Sequence, residues 1–239
     1  RTLLALNADA GVLSLVREAR RRLAPVQDLN EYVAGLIDSG QLGIEDRELL
    51  GETLLTAMAG TVQVFGMGFV YPDGRSVRVQ RGRGMLPSVP PDARALASLD
   101  EARRRYQSHW GQPFWLPEAR SAVVWVRTPI REGDRFTGML VSGVTVRELS
   151  RFIARSGNMA LADNRFILYG TEHVLAHRSM KDGAYAFEGD IPLPALDAVS
   201  DPVLERIWRK QGREDLFIKL GENTQGHALE IDDEFFVYL

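Results

Sequence analysis

The stretch that decides the fold is residues 122–155, AVVWVRTPIREGDRFTGMLVSGVTVRELSRFIAR. Its first nine residues predict a strand rich in β-branched and aromatic side chains, REGD predicts a turn, and residues 136–144 predict the returning strand. The second strand continues directly into Thr145-Val146-Arg147-Glu148, a capping box that begins an amphipathic helix. A hairpin that leads into a helix in this way can end one module and start the next.

The composition is that of a globular protein and excludes several functional classes. The 239 residues are 45% hydrophobic and 26% charged, which leaves room for one large domain or two smaller ones. The net charge of −3 gives no electrostatic support to a nucleic-acid partner. The longest apolar runs are about five residues, far below the roughly 20 that a membrane-spanning helix needs. No cysteine is present, so disulfides and thiol chemistry are excluded.

The first half of the chain predicts helices on either side of short strands. Residues 3–40 carry a long apolar stripe with steps of three and four residues, which Pro25 is expected to kink or interrupt. The stripe predicts either a helix packed on its own domain or one that also pairs with a second copy of the chain. The next expected elements are a helix at 45–58, strands at 62–71 and 77–80, a loop at 81–91, a helix from Asp92 to Arg105 and an aromatic connector at 106–118.

The second half repeats this arrangement on a smaller scale. The expected elements after residue 155 are strands at 166–169 and 173–177, a short helix from Asp201, and strands at 217–220, 228–231 and 235–239. Antiparallel hairpins combined with separate helices predict an α+β fold. The start at Arg1 instead of methionine predicts a piece of a longer protein.

Four stretches resemble the double Cache sensor domain, and together they span essentially the whole chain. They are GFVYPDG at 68–74, the connector around Trp110, TPI at 128–130 with GMLV at 138–141, and RFILYG at 165–170 with HVLAH at 173–177. The resemblance lies in their order and spacing. It implies a long N-terminal helix region at 1–45, a membrane-distal PAS-like module at 46–145, and a linking helix with a smaller membrane-proximal PAS-like module at 146–239.

The second module is most similar to sensor regions of bacterial membrane-bound class III adenylate or guanylate cyclases. That similarity implies a periplasmic, ligand-sensing domain between two transmembrane helices of an inner-membrane receptor, with a cyclase as its cytoplasmic output. A histidine kinase, a chemoreceptor or a diguanylate cyclase is the alternative output. A soluble α+β enzyme or scaffold is the alternative from a different class.

Catalysis is not predicted for this chain, although the resemblance implies that the full-length parent is a nucleotide cyclase. Gly66-Met67-Gly68 and Gly82-Arg83-Gly84 do not continue into a dinucleotide fingerprint or a P-loop. His173 and His177 are four residues apart, but they lie in a predicted strand without a Glu-x-x-His frame. No catalytic residue, metal site or cofactor is therefore predicted.

Residues 106–127 are the candidate site for a small-molecule ligand. Binding sites combine aromatic walls with a few polar anchors, and an arginine is able to hold a carboxylate through two parallel hydrogen bonds. Strand alternation places Val123, Trp125 and Arg127 on one face, directed either to solvent or to a concave site. The alternative is that the aromatic side chains simply pack a helix onto the sheet. The candidate ligand-binding residues are Tyr106, His109, Trp110, Trp115, Trp125 and Arg127.

One departure from the family pattern bears on the identity of the ligand. Cache domains that bind amino acids typically carry Arg-x-Trp-Tyr in this connector, followed by a downstream Tyr and Asp. Here His109-Trp110-Gly111 keeps only the tryptophan. The resemblance therefore gives little support to an α-amino-acid ligand, and a small carboxylate, another metabolite or no direct ligand stay open. A homodimer through the N-terminal helix is the expected protein partnership.

Overall fold

The computed structural model describes residues 21, 23–155, 165–205, 207, 208, 213, 214, 227–231 and 234–238. Helix α1 covers residues 23–38 and continues past Pro25, so the expected interruption there is wrong. Val26 and Val33 on this helix are completely buried in the main core. This packing outweighs the backbone hydrogen bond that a proline removes. Residues 39 and 40 form a turn, and of the predicted helix before residue 23 only residue 21 is described, also as helix.

Helix α2, Arg47–Ala59, begins at an aspartate that the sequence analysis did not single out. The carboxylate of Asp46 accepts hydrogen bonds from the backbone N–H groups of Glu48 and Leu49, both at 3.0 Å. These bonds satisfy two of the donors that the first turn of a helix leaves without partners. Leu50, Leu54 and Met58 then lie on one buried side of the helix.

Seven antiparallel strands form the main sheet, in the order β3-β2-β1-β7-β6-β4, with β5 paired to β6. The predicted hairpin provides β6 and β7, its longest strands. β3 lies inside the predicted 81–91 loop, because Gly82 and Gly84 adopt positive φ and turn the chain back beside β2. The strands are β1 Gly66–Val70, β2 Ser76–Gln80, β3 Gly84–Leu86, β4 His109–Trp110, β5 Phe114–Leu116, β6 Ser121–Glu132 and β7 Arg135–Thr145.

The two faces of this sheet have different coverings. One face packs against α1 and α2, and alternate strand residues such as Phe69, Val126 and Leu140 form the main core there. On the other face, α3, Ala93–Arg104, covers only part of the sheet, through Leu99 and Ala102 against Met139 on β7. Because this helix is short, the rest of that face is left as a concave surface.

Helix α4, Val146–Arg155, begins where the capping-box pattern predicts it. The Thr145 hydroxyl accepts a hydrogen bond from the backbone N–H of Glu148 at 3.1 Å. Phe152 and Ile153 on α4 belong to the same core as α1 and α2. The helix therefore packs directly against the main core.

The second half contains strands in two separate ladders. β8, Phe166–Tyr169, pairs with β9, His173–His177, and a three-stranded sheet contains β10 Arg213–Glu214, β11 His227–Ile231 and β12 Glu234–Tyr238. The helix predicted from Asp201 is wrong for residues 202–205, which form turns. The Asp201 carboxylate accepts from the backbone N–H groups of Val203 and Leu204, which stabilises a turn as readily as a helix start. The predicted 217–220 strand lies outside the described residues.

The chain thus has an α+β fold in which an N-terminal helix precedes antiparallel sheets. Among the described residues, no helix is long and apolar enough to cross a membrane.

Candidate functional site

A cavity of about 990 Å³ occupies the concave face of the main sheet. Its floor is formed by β1, β2, β6 and β7, and its rim by α3, the 87–92 loop and the 110–118 connector. Gly66 and Gly68 of β1 lie on this side, while Met67 and Phe69 point into the opposite core. Because neither glycine has a side chain, the middle of the sheet leaves space above it.

The cavity contains a charged pair whose arginine is buried. Arg127 of β6 is only 8% exposed, and its Nη1 donates to Oε2 of Glu101 on α3 at 3.0 Å. Burial lowers the pKa of Arg127, because the charged guanidinium loses its hydration, and the nearby Glu101 carboxylate acts in the opposite direction. The guanidinium stays charged because the ordinary pKa of arginine lies far above neutral pH.

Two further basic side chains lie close to the Glu101 carboxylate. Its Oε1 lies 2.9 Å from Nη2 of Arg105 and 3.8 Å from Nε2 of His109. Burial lowers the pKa of His109, so this ring is mainly neutral at pH 7. One carboxylate therefore faces two permanent cations and a mainly neutral imidazole.

Gly111 fixes the position of the Arg127 side chain. A Cβ atom at this glycine would lie 2.5 Å from Cζ of Arg127 and 2.7 Å from both Nη atoms. The N–H of Gly111 donates to the carbonyl of Trp125 at 2.8 Å, which extends the pairing between β4 and β6. The guanidinium thus lies directly against backbone, where no other residue type leaves room for it.

Aromatic rings form the opposite wall. Trp125 and Phe114 lie nearly parallel, with ring centroids 5.7 Å apart and an interplanar angle of 7°. Trp115 packs against Tyr185 and Phe187 of the second half, at 6.0 and 5.3 Å between centroids. The buried Nε1 of Trp125 has no hydrogen-bond partner within the described part of the chain. A buried donor of this kind is uncommon in folded proteins, and a ligand atom or a water molecule would satisfy it.

The structure brings four of the six predicted site residues to the cavity lining, Trp110, Trp115, Trp125 and Arg127. The alternation argument is correct in that Trp125 and Arg127 face the concave side while Val126 faces the core. His109 lies beside the lining, through Glu101. Tyr106 is 73% exposed and contacts the Arg131 guanidinium, 4.4 Å from its ring centre, instead of the cavity.

Glu101 and Arg78 are among the polar residues of the lining that were not predicted as site residues. The sequence predicts only a surface ion pair for Glu101, because Arg105 follows it by four residues on a helix. Arg78 alternates with buried valines on β2, and its Nη2 donates to the carbonyl of Pro87 at 2.8 Å. That bond holds the proline-rich loop over the cavity. No local pattern connects either residue to Arg127.

Comparisons with known proteins give a structural likeness without a sequence match. No family model and no curated protein matches the chain. The sensory domain of the Campylobacter jejuni chemoreceptor Tlp3 superposes with a TM-score of 0.62 at 13% identity, covering 99% of this chain and 87% of that one. The extracellular domain of the putative histidine kinase mmHK1S-Z3 gives 0.56 at 14% identity, with 94% and 88% covered.

Two of the similar structures were solved with small ligands. The ligand-binding domain of Mlp24 with asparagine superposes with a TM-score of 0.55 at 15% identity, over 99% of this chain and 85% of that one. The Tlp3 domain in complex with 4-methylisoleucine gives 0.61 at 13% identity, over 99% and 84%. At these identities the likeness concerns the fold, and it extends over nearly the whole chain. The protein therefore has the fold of a Cache-type extracellular sensory domain.

Proposed function

We propose that this chain is the extracytoplasmic ligand-sensing domain of a membrane receptor, and that its ligand binds in the concave cavity of the main sheet. The buried Arg127 beside Glu101 is the observation that carries the proposal. A buried charge is costly unless a partner or a ligand needs it, so it is more typical of a site than of a core. The cavity volume of about 990 Å³ lies at the upper end of the range for small-molecule sites.

The ligand we propose is a small organic acid. Arg127 is the most buried charged side chain of the cavity lining, and a guanidinium is able to hold a carboxylate through two parallel hydrogen bonds. Trp125 and Phe114 offer apolar surface to the remainder of such a molecule. Asparagine and 4-methylisoleucine, bound by Mlp24 and Tlp3, also carry a carboxylate, and they belong in the same test although the Arg-x-Trp-Tyr pattern is not present here.

The output of the parent receptor is proposed to be a chemoreceptor signalling domain or a histidine kinase. Sensory domains of those two classes superpose on this chain, and no comparison links it to a cyclase.

A homodimer through the N-terminal helix is a further part of the proposal. Within residues 23–38 the apolar stripe faces the chain's own sheet. A second copy would therefore contact the opposite side of α1, where Tyr32 is 65% exposed.

A thermal-shift screen of small carboxylates, amino acids and uncharged metabolites tests the ligand site. At 100 times its dissociation constant, a ligand adds about 2.7 kcal/mol to the free energy of unfolding, which raises Tm by roughly 5–10 °C for a chain of this size. We expect one class of acids to give this shift, and Arg127→Met to lose it. Arg83→Met, in an exposed turn, is the matched control.

Two results would contradict the proposal. One is an undiminished shift in the Arg127→Met variant, which would place the ligand elsewhere. The other is the absence of a shift with every class together with turnover of a substrate, which would favour the soluble-enzyme alternative.

A further inference from the structure

Within its described residues, helix α1 contributes one buried polar side chain to its interface with the main sheet. Asn30 is completely buried, and it is the only polar residue with that degree of burial in the described part of α1. Its Nδ2 donates to the carbonyl of Val126 at 3.3 Å, and its Oδ1 accepts a hydrogen bond from the hydroxyl of Ser142. Ser142 is also completely buried, so the amide and hydroxyl satisfy each other inside an apolar core.

These two hydrogen bonds join α1 to the main sheet on the face opposite the candidate site. Val126 and Ser142 lie opposite each other on β6 and β7. Val126 stands between Trp125 and Arg127, and Ser142 follows Val141. Those three neighbours line the cavity on the other face of the sheet. Helix α1 is thus hydrogen-bonded to the back of the strand segments whose front carries the aromatic wall and the charged pair.

An apolar residue at position 30 would pack in this interface without the cost of desolvating an amide. The amide specifies one position of α1 on the sheet, because both of its hydrogen bonds form only when the helix is in that position. A shift of one residue along α1 moves a side chain by about 1.5 Å and turns it by about 100°, which would break both bonds. Buried polar contacts that specify register in this way are known from helix pairs.

We infer that Asn30 is a positioning residue for the cavity, and that it couples α1 to the segment of β6 that carries Trp125 and Arg127. A displacement of that segment changes the geometry of the Asn30 bonds, so the helix and the site respond to each other. Such coupling is reciprocal by necessity, since each element biases the placement of the other. The physiological meaning of the coupling rests on the proposed ligand-sensing function, whereas the coupling itself needs no ligand.

Gly111→Ala provides a perturbation of the site from within the chain. The added Cβ displaces the guanidinium of Arg127, which is the far end of a flexible side chain, and the backbone of Gly111 already has a negative-φ or extended conformation that alanine adopts. Gly60→Ala, where a Cβ meets nothing within 4 Å, is the matched control. Amide hydrogen exchange followed by mass spectrometry then reports separately on α1 and on β6.

In the otherwise unaltered chain we expect Gly111→Ala to change exchange across residues 28–34 of α1 by about fivefold, the lower end of the range for coupled sites. In the Asn30→Leu/Ser142→Ala background the α1 response should disappear while the β6 response remains. If that background does not fold by circular dichroism, Asn30→Ala alone, which also removes both hydrogen bonds, takes its place. The inference is overturned if α1 responds equally in both backgrounds, or responds in neither. Because no ligand is added, a negative ligand screen leaves this outcome unaffected.

Discussion

Replacing Glu101 by glutamine removes the charge that faces Arg127 while keeping the size of the side chain and an oxygen acceptor. The Arg127 guanidinium then stays buried, 8% exposed, with a neutral partner in place of a carboxylate. The hydrogen bond that remains still has a charged donor, so the substitution removes the attraction between two opposite charges and keeps the bond. Breaking a fully buried ion pair costs about 3–5 kcal/mol, whereas an exposed pair contributes about 0.2–1 kcal/mol.

Solvent reduces this loss, because the Glu101 side chain is 35% exposed and its charge is partly screened. We therefore expect about 1 kcal/mol, which corresponds to a fall in Tm of about 2–4 °C for a chain of 239 residues. Urea denaturation at pH 7 followed by circular dichroism measures it. Glu52→Gln on α2 is the control, since Glu52 makes no ion pair among the described residues.

Arg127→Met should cost less than Glu101→Gln, even though Arg127 is the more buried partner. Methionine keeps the unbranched stem and removes the buried charge, and the carboxylate that it leaves behind is 35% exposed, so it is not a buried charge without a partner. Glu101 keeps its contact with Arg105 at 2.9 Å. In the double variant no unpaired charge is left in the cavity, so it should be more stable than Glu101→Gln alone by about 1 kcal/mol.

The outcome that refutes this reasoning is additivity. If the double variant loses the sum of the two single losses, Glu101 and Arg127 do not act as a pair. If Arg127→Met alone costs more than about 3 kcal/mol, the guanidinium is a structural part of the fold. The combination of a small stability cost with a lost ligand response is the signature of a binding residue.

Three further predictions concern the core, a helix cap and the response to pH. Phe69→Ala should lower the free energy of unfolding by about 3–5 kcal/mol in urea denaturation, while Leu49→Ala, 52% exposed, should change it by less than about 0.5. Asp46→Ala should cost about 1 kcal/mol in the same assay, because two N–H groups at the start of α2 lose their acceptor. Burial lowers the pKa of His177 below its ordinary 6.5, although the Asp201 carboxylate acts in the opposite direction. As the pH falls through 6.5, the unfolded chain therefore takes up the proton first, and the free energy of unfolding decreases. Denaturation between pH 7.5 and about 5 should show a flatter slope for His177→Gln than for His173→Gln, and equal slopes would contradict the assignment.

The elements that the sequence predicted well are those defined by neighbouring residues. The 122–155 hairpin and helix follow from alternation, a Gly-containing turn and the Thr145 cap, all of which act within a few residues. Asp92 likewise accepts from the N–H of Ala95 at 2.7 Å, as the predicted cap of α3. The sequence did not predict β3. Its start depends on two glycines at positive φ, and residues 84–86 form a strand only because β2 lies beside them.

For the candidate site, the sequence by itself determined the face of the strand on which Trp125 and Arg127 lie, because the period of a strand fixes alternation locally. Only the tertiary structure decided what this face meets. Glu101 reaches Arg127 across 26 residues of sequence, and Asn30 reaches Ser142 across 112. These contacts form because α3 and α1 pack on opposite faces of one sheet. That packing depends on the shape and burial of the whole chain, so no local sequence pattern predicts it.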